Sequence, residues 1–154
     1  MMEDKNYVVD IKEEIIEYNP VSGNILNYIV IVEEATNDLK SFYDIWPNKD
    51  RSIANLEFFS NEKLFYFLFK TCEAISYLHS NHVYYGDMKE ANILIFRDYS
   101  IKIGDFGISI KCDPSIDPNE PYYELKGGTN GYMNQTVIAS FESGDLLSKN
   151  DLFQ

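Results

Sequence analysis

Apolar positions divide the chain into a strand-rich first part, one long helix and a second part of short elements. Residues 7–16 mix β-branched with charged positions, and the apolar run at residues 27–32 predicts a buried strand, joined to the first by the turn sequence NPVSG. A short polar connector follows at residues 33–38. Residues 39–45 predict the start of a helix that Pro47 stops, because proline lacks the N–H that a helix needs.

The clearest helix is predicted over residues 61–80, after an irregular polar stretch at residues 48–60. Ser60 is in position to cap it, and Glu62 favours the positive end of the helix dipole. The aromatic run at residues 65–69 is assigned to the core. Apolar side chains recur at steps of three and four residues and predict a core-facing stripe, composed of Leu64, Phe67, Leu68, Cys72, Ile75 and Leu78.

Short elements separated by turns fill the rest of the pattern. They are strands at residues 83–84, 93–96 and 101–103, a loop at residues 111–131, a short helix at residues 136–141 and the start of another helix from Asp145 onward. Residues 97–100 separate the last two strands like the turn of a hairpin.

Composition narrows the setting in which the protein works. A net charge of −12, from 13 basic and 25 acidic residues, argues against nucleic acid as a partner, because phosphate binding needs clustered Lys and Arg. The sequence contains no apolar run of about 18 residues, so it predicts no membrane-spanning helix. Residues 1–12 lack the basic and then apolar order of a signal peptide. Cys72, assigned to the helix core, and Cys112, assigned to the loop, fit a reducing compartment. We therefore expect a cytoplasmic protein, with the nucleus also open.

Four polar side chains carry the strongest chemical signal. Asp87, Lys89 and Asn92 share one loop between the long helix and a strand, and Asp105 follows the next strand, with Phe106-Gly107 after it. An Asn and an Asp at neighbouring strand ends supply the oxygens that Mg²⁺ prefers. The carboxylate of Asp87 can accept a proton from an attacking hydroxyl, and Lys89 can neutralise charge on a phosphoryl group.

These residues resemble the catalytic loop H-R-D-L-K-x-x-N and the D-F-G triplet of eukaryotic-type protein kinases. Residues 128–133, GTNGYM, are similar to the end of the kinase activation segment, and residues 149–153 to the start of the next large-lobe helix. The resemblance implies a truncated α+β fold of the protein-kinase type. Residues 1–38 would be a remnant of the small lobe and hinge, and residues 39–154 a partial large lobe.

Roles follow from the resemblance, position by position. Asp87 would be the catalytic base, Lys89 the lysine that contacts phosphate, and Thr129 the residue that orients Asp87. Asn92 and Asp105 would hold Mg²⁺. Because serine/threonine kinases place Lys two residues after the Asp, the resemblance favours serine/threonine specificity and a protein substrate.

The resemblance also implies an ATP site. Leu94 would pack under the adenine of ATP, and the backbone of Glu33, Glu34 and Ala35 would hydrogen-bond the adenine edge. Asn92 and Asp105 would contribute to the same nucleotide site through the metal.

Several positions depart from the family pattern. The sequence contains no G-x-G-x-x-G, and Lys12 is interpreted as a solvent-facing strand lysine. The glycine-rich loop, its lysine and the Glu that pairs with that lysine are therefore expected to be missing, upstream of Met1. Tyr85 and Gly86 replace the His and Arg of the catalytic loop, and residues 134–136, NQT, replace A-P-E. The helix that anchors the large lobe would be cut after its first turn.

Two functions stay open from the sequence. The first is a serine/threonine protein kinase that transfers the γ-phosphate of ATP to protein hydroxyls. The second is a truncated pseudokinase, a binding module that regulates or scaffolds another kinase without catalysis. The substrate, the pathway and the kinase subfamily are not specified by these motifs.

Overall fold

The computed structural model describes residues 7–45, 61–129 and 131–153. Three sequence predictions lie outside these residues: the helix stop at Pro47, the irregular stretch at residues 48–60 and the cap at Ser60.

Strands β1 (Ile11–Tyr18) and β2 (Ile25–Val32) form an antiparallel ribbon. The predicted turn joins them, because the side chain of Asn19 accepts bonds from the N–H groups of Val21 and Ser22 at 2.8 and 3.0 Å. Both strands are confirmed, with β1 displaced toward the turn relative to the predicted residues and β2 starting two residues earlier.

The prediction that the apolar run is a buried strand is wrong. The apolar residues of β2 are exposed, from 40% at Val30 to 59% at Ile25. A strand is buried only where other elements cover its faces, and within the described residues β2 pairs with β1 alone.

Two further sheets carry the loops of the second half. In the first, β5 (Ile93–Ile95) lies between β3 (Asn37–Asp38) and β6 (Ile101–Ile103), all antiparallel. In the second, β4 (Val83–Tyr84) pairs with β7 (Ile110–Lys111). The predicted hairpin between β5 and β6 is confirmed, and the polar connector before the first helix contributes the short strand β3.

Residues 7–9 do not continue into β1 but lie along the edge of β6. Val8 forms a parallel bridge with Ile103, whose N–H donates to the oxygen of Tyr7 at 2.8 Å and whose oxygen accepts from the N–H of Val9 at 3.1 Å. The entry to the ribbon is therefore attached to the sheet that ends at Asp105.

Helices α1 (Leu39–Ile45) and α2 (Asn61–Ser80) are confirmed where predicted. The buried positions of α2 are Phe67, Thr71, Ala74 and Leu78, spaced four, three and four residues apart. Phe67 meets Phe42 of α1 edge to face, with ring centroids 5.3 Å apart.

Parts of the predicted stripe on α2 are wrong. Leu68 is 59% exposed and Cys72 is exposed, and the aromatic run is exposed at Phe65 and Phe69. Leu68 and Cys72 each follow a buried residue by one position, and one residue turns the side chain by about 100° around the helix axis. Cys112 lies in a loop directly after β7, as predicted, and it is fully buried, which raises the pKa of its thiol.

The last helices are α3 (Gln135–Ser143) and α4 (Lys149–Leu152). Asn134 caps α3 by accepting a bond from the N–H of Val137 at 2.8 Å, and Ser148 and Asp151 form a capping box on α4. Both predicted helices are confirmed, the second beginning later than Asp145. A buried cluster joins this region, composed of Cys112, Tyr123, Leu125, Val137, Leu147 and Leu152. In the described part of the chain no helix is both long and apolar enough to span a membrane.

Candidate active site

The segment that carries Asp87 runs from the end of β4 to the start of β5. It contains Gly86, with a φ of +85°, and ends in a single 3₁₀ turn at Glu90–Asn92. A Cβ on Gly86 would stand 3.3 Å from the ring of Tyr84 and 3.4 Å from the oxygen of Ile108. Glycine fits this position because it has no Cβ and tolerates a positive φ.

Asp87 is the centre of a hydrogen-bonded cluster and is 8% exposed. Its Oδ2 accepts bonds from Nζ of Lys89 at 2.5 Å and from Nδ2 of Asn92 at 3.0 Å. Its Oδ1 accepts a bond from the hydroxyl of Thr129, and Lys89 also donates to that hydroxyl at 3.0 Å. The structure thus brings together the predicted catalytic residues Asp87, Lys89 and Thr129, together with Asn92.

The electrostatics of the cluster keep Asp87 ionised. Burial acts to raise the pKa of Asp87, but the bonds from Lys89, Thr129 and Asn92 outweigh it and hold the pKa below its ordinary value. An ionised carboxylate only accepts hydrogen bonds, so Asp87 is suited to receive and orient a hydroxyl.

Asp105 stands at the end of β6, beside Asn92 at the start of β5. The register pairs Ile93 with Ile103, and the N–H of Gly104 donates to the main-chain oxygen of Asn92 at 3.0 Å. Asp105 is exposed and has a φ of 55°, an uncommon conformation for a residue other than glycine. The antiparallel register therefore places Asn92 and Asp105 at one edge of the sheet.

The donor set at this edge fits a magnesium ion. The amide nitrogen of Asn92 donates to Asp87, to its main-chain oxygen at 2.9 Å and to its carboxylate, which turns the amide oxygen to the other side of the planar group. That oxygen and the exposed carboxylate of Asp105 are the hard ligands that Mg²⁺ takes. Within the described residues, no group of three or more His, Cys, Asp or Glu side chains could hold a metal ion by itself. A magnesium site that also uses substrate phosphates as ligands needs only one or two protein carboxylates.

Tyr85 contacts the residues on both sides of Asp105, which are Gly104 and Phe106. Its side chain is 4% exposed, its hydroxyl donates to the oxygen of Gly104, and its ring meets that of Phe106 edge to face at 5.2 Å. Burial, with the nearby charges of Asp105 and Asp87, raises the pKa of Tyr85 well above its ordinary value, although a bond with Asn92 opposes this. Tyr85 is therefore a neutral donor, and its hydrogen bond to Gly104 is a contact that the sequence did not predict.

A second contact that sequence reasoning missed joins the catalytic loop to the segment after Thr129. The hydroxyl of Tyr132 donates to the carboxylate of Glu90 at 2.5 Å, and this bond lowers the pKa of Glu90. The residues lie far apart in the sequence, and no local motif signals their pairing.

The predicted adenine contacts lie on segments outside the loop of Asp87, since residues 33–35 follow β2 and Leu94 is on β5. The N–H of Glu33 donates to the oxygen of Asp10 at 3.0 Å, so that donor is already bonded, while Leu94 is half-buried on β5 and packs beside Gly104. A cavity of about 690 Å³ lies beside Glu33 and Glu34 but is not lined by Asp87, Asn92, Leu94 or Asp105. The site chemistry thus rests on the Asp87 cluster and the Asp105 edge, and not on this cavity.

Comparison with known proteins assigns the class. The protein kinase domain family matches residues 6–153, and the chain therefore belongs to the protein kinase family. The chain is 32% identical over 100 residues to the serine/threonine-protein kinase Nek3 of Oryza sativa subsp. japonica, which covers 65% of this chain and 16% of the relative. It is 34% identical over 80 residues to the MAP kinase kinase kinase wis4 of Schizosaccharomyces pombe, covering 48% and 6%.

A third relative has the same character. The mitogen-activated protein kinase mpk-1 of Caenorhabditis elegans is 32% identical over 98 residues, which is 61% of this chain and 22% of the relative. The chain thus spans less than a quarter of the length of these three curated relatives. The α+β fold with its catalytic loop and Asp-Phe-Gly triplet is that of a protein kinase, as predicted.

Proposed function

We propose that the chain is the catalytic part of a serine/threonine protein kinase that transfers the γ-phosphoryl group of ATP to a hydroxyl of a protein substrate. The observation that carries the proposal is the buried cluster in which Lys89, Asn92 and Thr129 all bond the carboxylate of Asp87. The names of the relatives include serine/threonine, MAP and MAP kinase kinase kinases, which supports this class.

Each residue of the cluster has a distinct part in the proposed reaction. The carboxylate of Asp87 receives the hydrogen of the substrate hydroxyl and directs its oxygen at the phosphorus. Thr129 fixes one carboxylate oxygen through its hydroxyl, which limits rotation of Asp87. Lys89 places a positive charge beside the phosphoryl group, where it stabilises the negative charge that shifts between oxygens during the transfer.

Asn92 and Asp105 would hold Mg²⁺ at the edge of the sheet, and the metal would supply charge neutralisation for the phosphates of ATP. Leu94, beside Gly104 on β5, would contact the adenine, with Glu34 and Ala35 as backbone partners and Glu33 through its carbonyl. In this division residues 1–38 belong to the small lobe and hinge, and residues 39–154 to the large lobe.

The proposal is tested with the full chain, Asp87→Asn, Asp105→Asn and the control Asp145→Asn, an exposed carboxylate between α3 and α4 whose bonding partner is Ser143. We expect Asp87→Asn to lower phosphate transfer to a generic protein substrate by about 10² to 10⁴-fold, because positioned bases contribute that much. We expect thermal stabilisation by Mg-ATP in the wild type, in Asp87→Asn and in the control, but not in Asp105→Asn. Transfer that persists in both active-site variants would refute the assigned roles.

One observation favours a second function, a binding module that scaffolds another kinase. The sequence has no G-x-G-x-x-G, and Lys12 pairs with Asp10 at 2.6 Å in an exposed position, with about half of each side chain accessible. Neither feature covers a phosphate. Absence of any Mg-ATP stabilisation in the wild-type chain, together with a stable complex with a second kinase, would favour this function over the first.

The setting that we propose is the cytoplasm or nucleus, with a protein as the partner. Both cysteines are free thiols, which fits a reducing compartment. The net charge of −12 supports a partner other than nucleic acid.

A further inference from the structure

Glu33 stands where three segments of the chain meet. It is the residue after β2, and its N–H donates to the oxygen of Asp10 at 3.0 Å. In return, the N–H of Asp10 donates to Oε1 of Glu33 at 2.8 Å. The same Oε1 accepts a bond from Nζ of Lys102, the central residue of β6. One carboxylate therefore connects the end of β2, the entry to β1 and β6.

The ion pair of Glu33 and Lys102 has low solvent exposure, although both side chains stand at the wall of the cavity described above. The side chain of Lys102 is 8% exposed and that of Glu33 is 18% exposed, and Nζ lies 5.0 Å from the ring centroid of Phe96. By contrast, Lys12 and Asp10 form a pair in which 53% and 50% of the side chains are exposed. Water screens the exposed pair far more than the shielded one, so only the shielded pair is expected to constrain structure.

The position of strand β6 determines the position of Asp105, which follows the strand by two residues. Ile103 is fully buried, and its N–H donates to the oxygen of Tyr7 at 2.8 Å. The next N–H, that of Gly104, donates to the oxygen of Asn92 at 3.0 Å. A shift of Lys102 along the strand would break these bonds in turn and would carry Asp105 with it.

We infer that Glu33 and Lys102 are positioning residues whose ion pair holds the ribbon against β6 and thereby sets the place of Asp105 relative to the end of β2. The side chains act through the backbone of β6 and do not touch the cluster around Asp87. Lys102 is not among the predicted site residues, and Glu33 was predicted there only through its backbone, as a partner of the adenine edge. The ion pair is a property of the folded chain and needs no bound nucleotide.

Amide hydrogen exchange of the full chain tests the inference without ligand. The variants are Lys102→Met, which keeps the aliphatic stem, Glu33→Gln, which keeps an acceptor for the N–H of Asp10, and their double mutant. Each single change is expected to accelerate exchange at Ile103 and Gly104 about tenfold, the factor that corresponds to the loss of one modest interaction. The double mutant is expected to exchange no faster than the faster single variant, because both changes remove the same pair.

Two controls separate a local positioning role from a general loss of stability. Lys12→Met removes the exposed pair and is expected to leave exchange unchanged, and Lys102→Arg keeps the charge and is expected to do the same. The N–H of Ile138 in α3, which donates to the main-chain oxygen of Asn134 at 3.0 Å, reports on another part of the fold and should exchange at the wild-type rate. Equal acceleration at Ile138, or none at Ile103, would overturn the inference. If Lys102→Met does not fold, Glu33→Gln decides alone.

A second readout rests on the proposed function. In Lys102→Met the KM for Mg-ATP is expected to rise at least threefold, with kcat changed less, because a displaced Asp105 weakens binding of the metal-bound nucleotide before it affects chemistry. An unchanged KM alongside faster exchange would refute the link from β6 to Asp105. A wild-type chain that transfers no phosphate would refute the proposed function alone, because the exchange rates decide the inference by themselves.

Discussion

Replacing Tyr85 by Phe removes one hydroxyl from a buried support of the active site. The ring of Tyr85 packs edge to face on Phe106, and this contact remains in the variant. The hydroxyl donates to the oxygen of Gly104, directly before Asp105, and both groups are buried. Tyr85→Phe therefore separates the hydrogen bond from the packing of the ring.

The expected cost follows from the burial of both partners. A typical hydrogen bond contributes about 1 kcal/mol net, and a buried acceptor left without its donor adds a desolvation penalty of roughly the same size or more. We expect the free energy of unfolding to fall by about 2 kcal/mol. For a chain of this length that corresponds to a decrease in Tm of about 4 to 8 °C.

Urea denaturation of the wild type, Tyr85→Phe and the control Tyr122→Phe measures this cost. Tyr122 is 57% exposed, so its variant should differ from the wild type by less than about 0.5 kcal/mol. A loss below about 0.5 kcal/mol in Tyr85→Phe, or a loss equal to that of the control, would refute the claim that this bond supports the Asp105 segment.

An alkaline titration gives an independent signature of the same bond. The pKa of Tyr85 is raised in the folded chain, mainly by burial, so its contribution to stability is complete below the ordinary tyrosine value of 10.0. Above that pH the unfolded chain releases the proton and the folded chain does not, so stability is lost as the pH rises. The difference in stability between the wild type and Tyr85→Phe should therefore narrow above pH 10. A constant difference would contradict the buried, neutral hydroxyl.

Three further predictions concern other parts of the fold. Thr129→Val removes the donor to Asp87, so the pKa of Asp87 should move up toward its ordinary value of 3.8, which carboxyl NMR titration measures. In the wild type, the stability that ionised Asp87 contributes is present above pH 3.8 and is lost as the pH falls through the lower folded pKa. A thiol reagent should label Cys72 quickly and Cys112 only on unfolding, because Cys72 is exposed and Cys112 is fully buried. Ser148→Ala removes half of the capping box on α4 and should lower the free energy of unfolding by about 1 kcal/mol.

Each of these expectations has a control and a contrary outcome. For Thr129, the conservative variant Thr129→Ser should keep the low pKa, and an unchanged pKa in Thr129→Val would show that Lys89 and Asn92 suffice. Labelling of Cys112 in the native chain at the rate of Cys72 would contradict its burial. For the cap, Ser148→Thr should retain stability, and a Ser148→Ala variant as stable as the wild type would show that α4 does not depend on its cap.

Local sequence patterns predicted the helices and strands, but not which of their faces are buried. The long helix was located at residues 61–80, yet Cys72 lies on its exposed side, because a repeat of three and four residues leaves the phase of the buried face uncertain by one position. The apolar strand β2 was found but is exposed, because burial depends on which distant elements pack on it. Neighbouring residues cannot reveal that.

The candidate site was predicted to a similar depth. The spacing of Asp87, Lys89 and Asn92 within one loop was sufficient to place them together, and Thr129 followed only from the family resemblance. The bond of Tyr85 to Gly104 depends on how the chain turns between strands that are distant in sequence, and so does the pairing of Glu33 with Lys102. Such contacts depend on tertiary structure, and no local sequence motif predicts them.

The glycine at position 86 also limits which substitutions the catalytic loop accepts. The family motif has an arginine there, but in this chain a side chain at position 86 would meet the ring of Tyr84 at 3.3 Å and would have to adopt a φ of +85°. Left-handed backbone costs a residue with a Cβ roughly 1 kcal/mol or more. An arginine at position 86 is therefore expected to destabilise the loop unless the ring of Tyr84 moves aside, so the residue at position 86 and the conformation of Tyr84 are coupled.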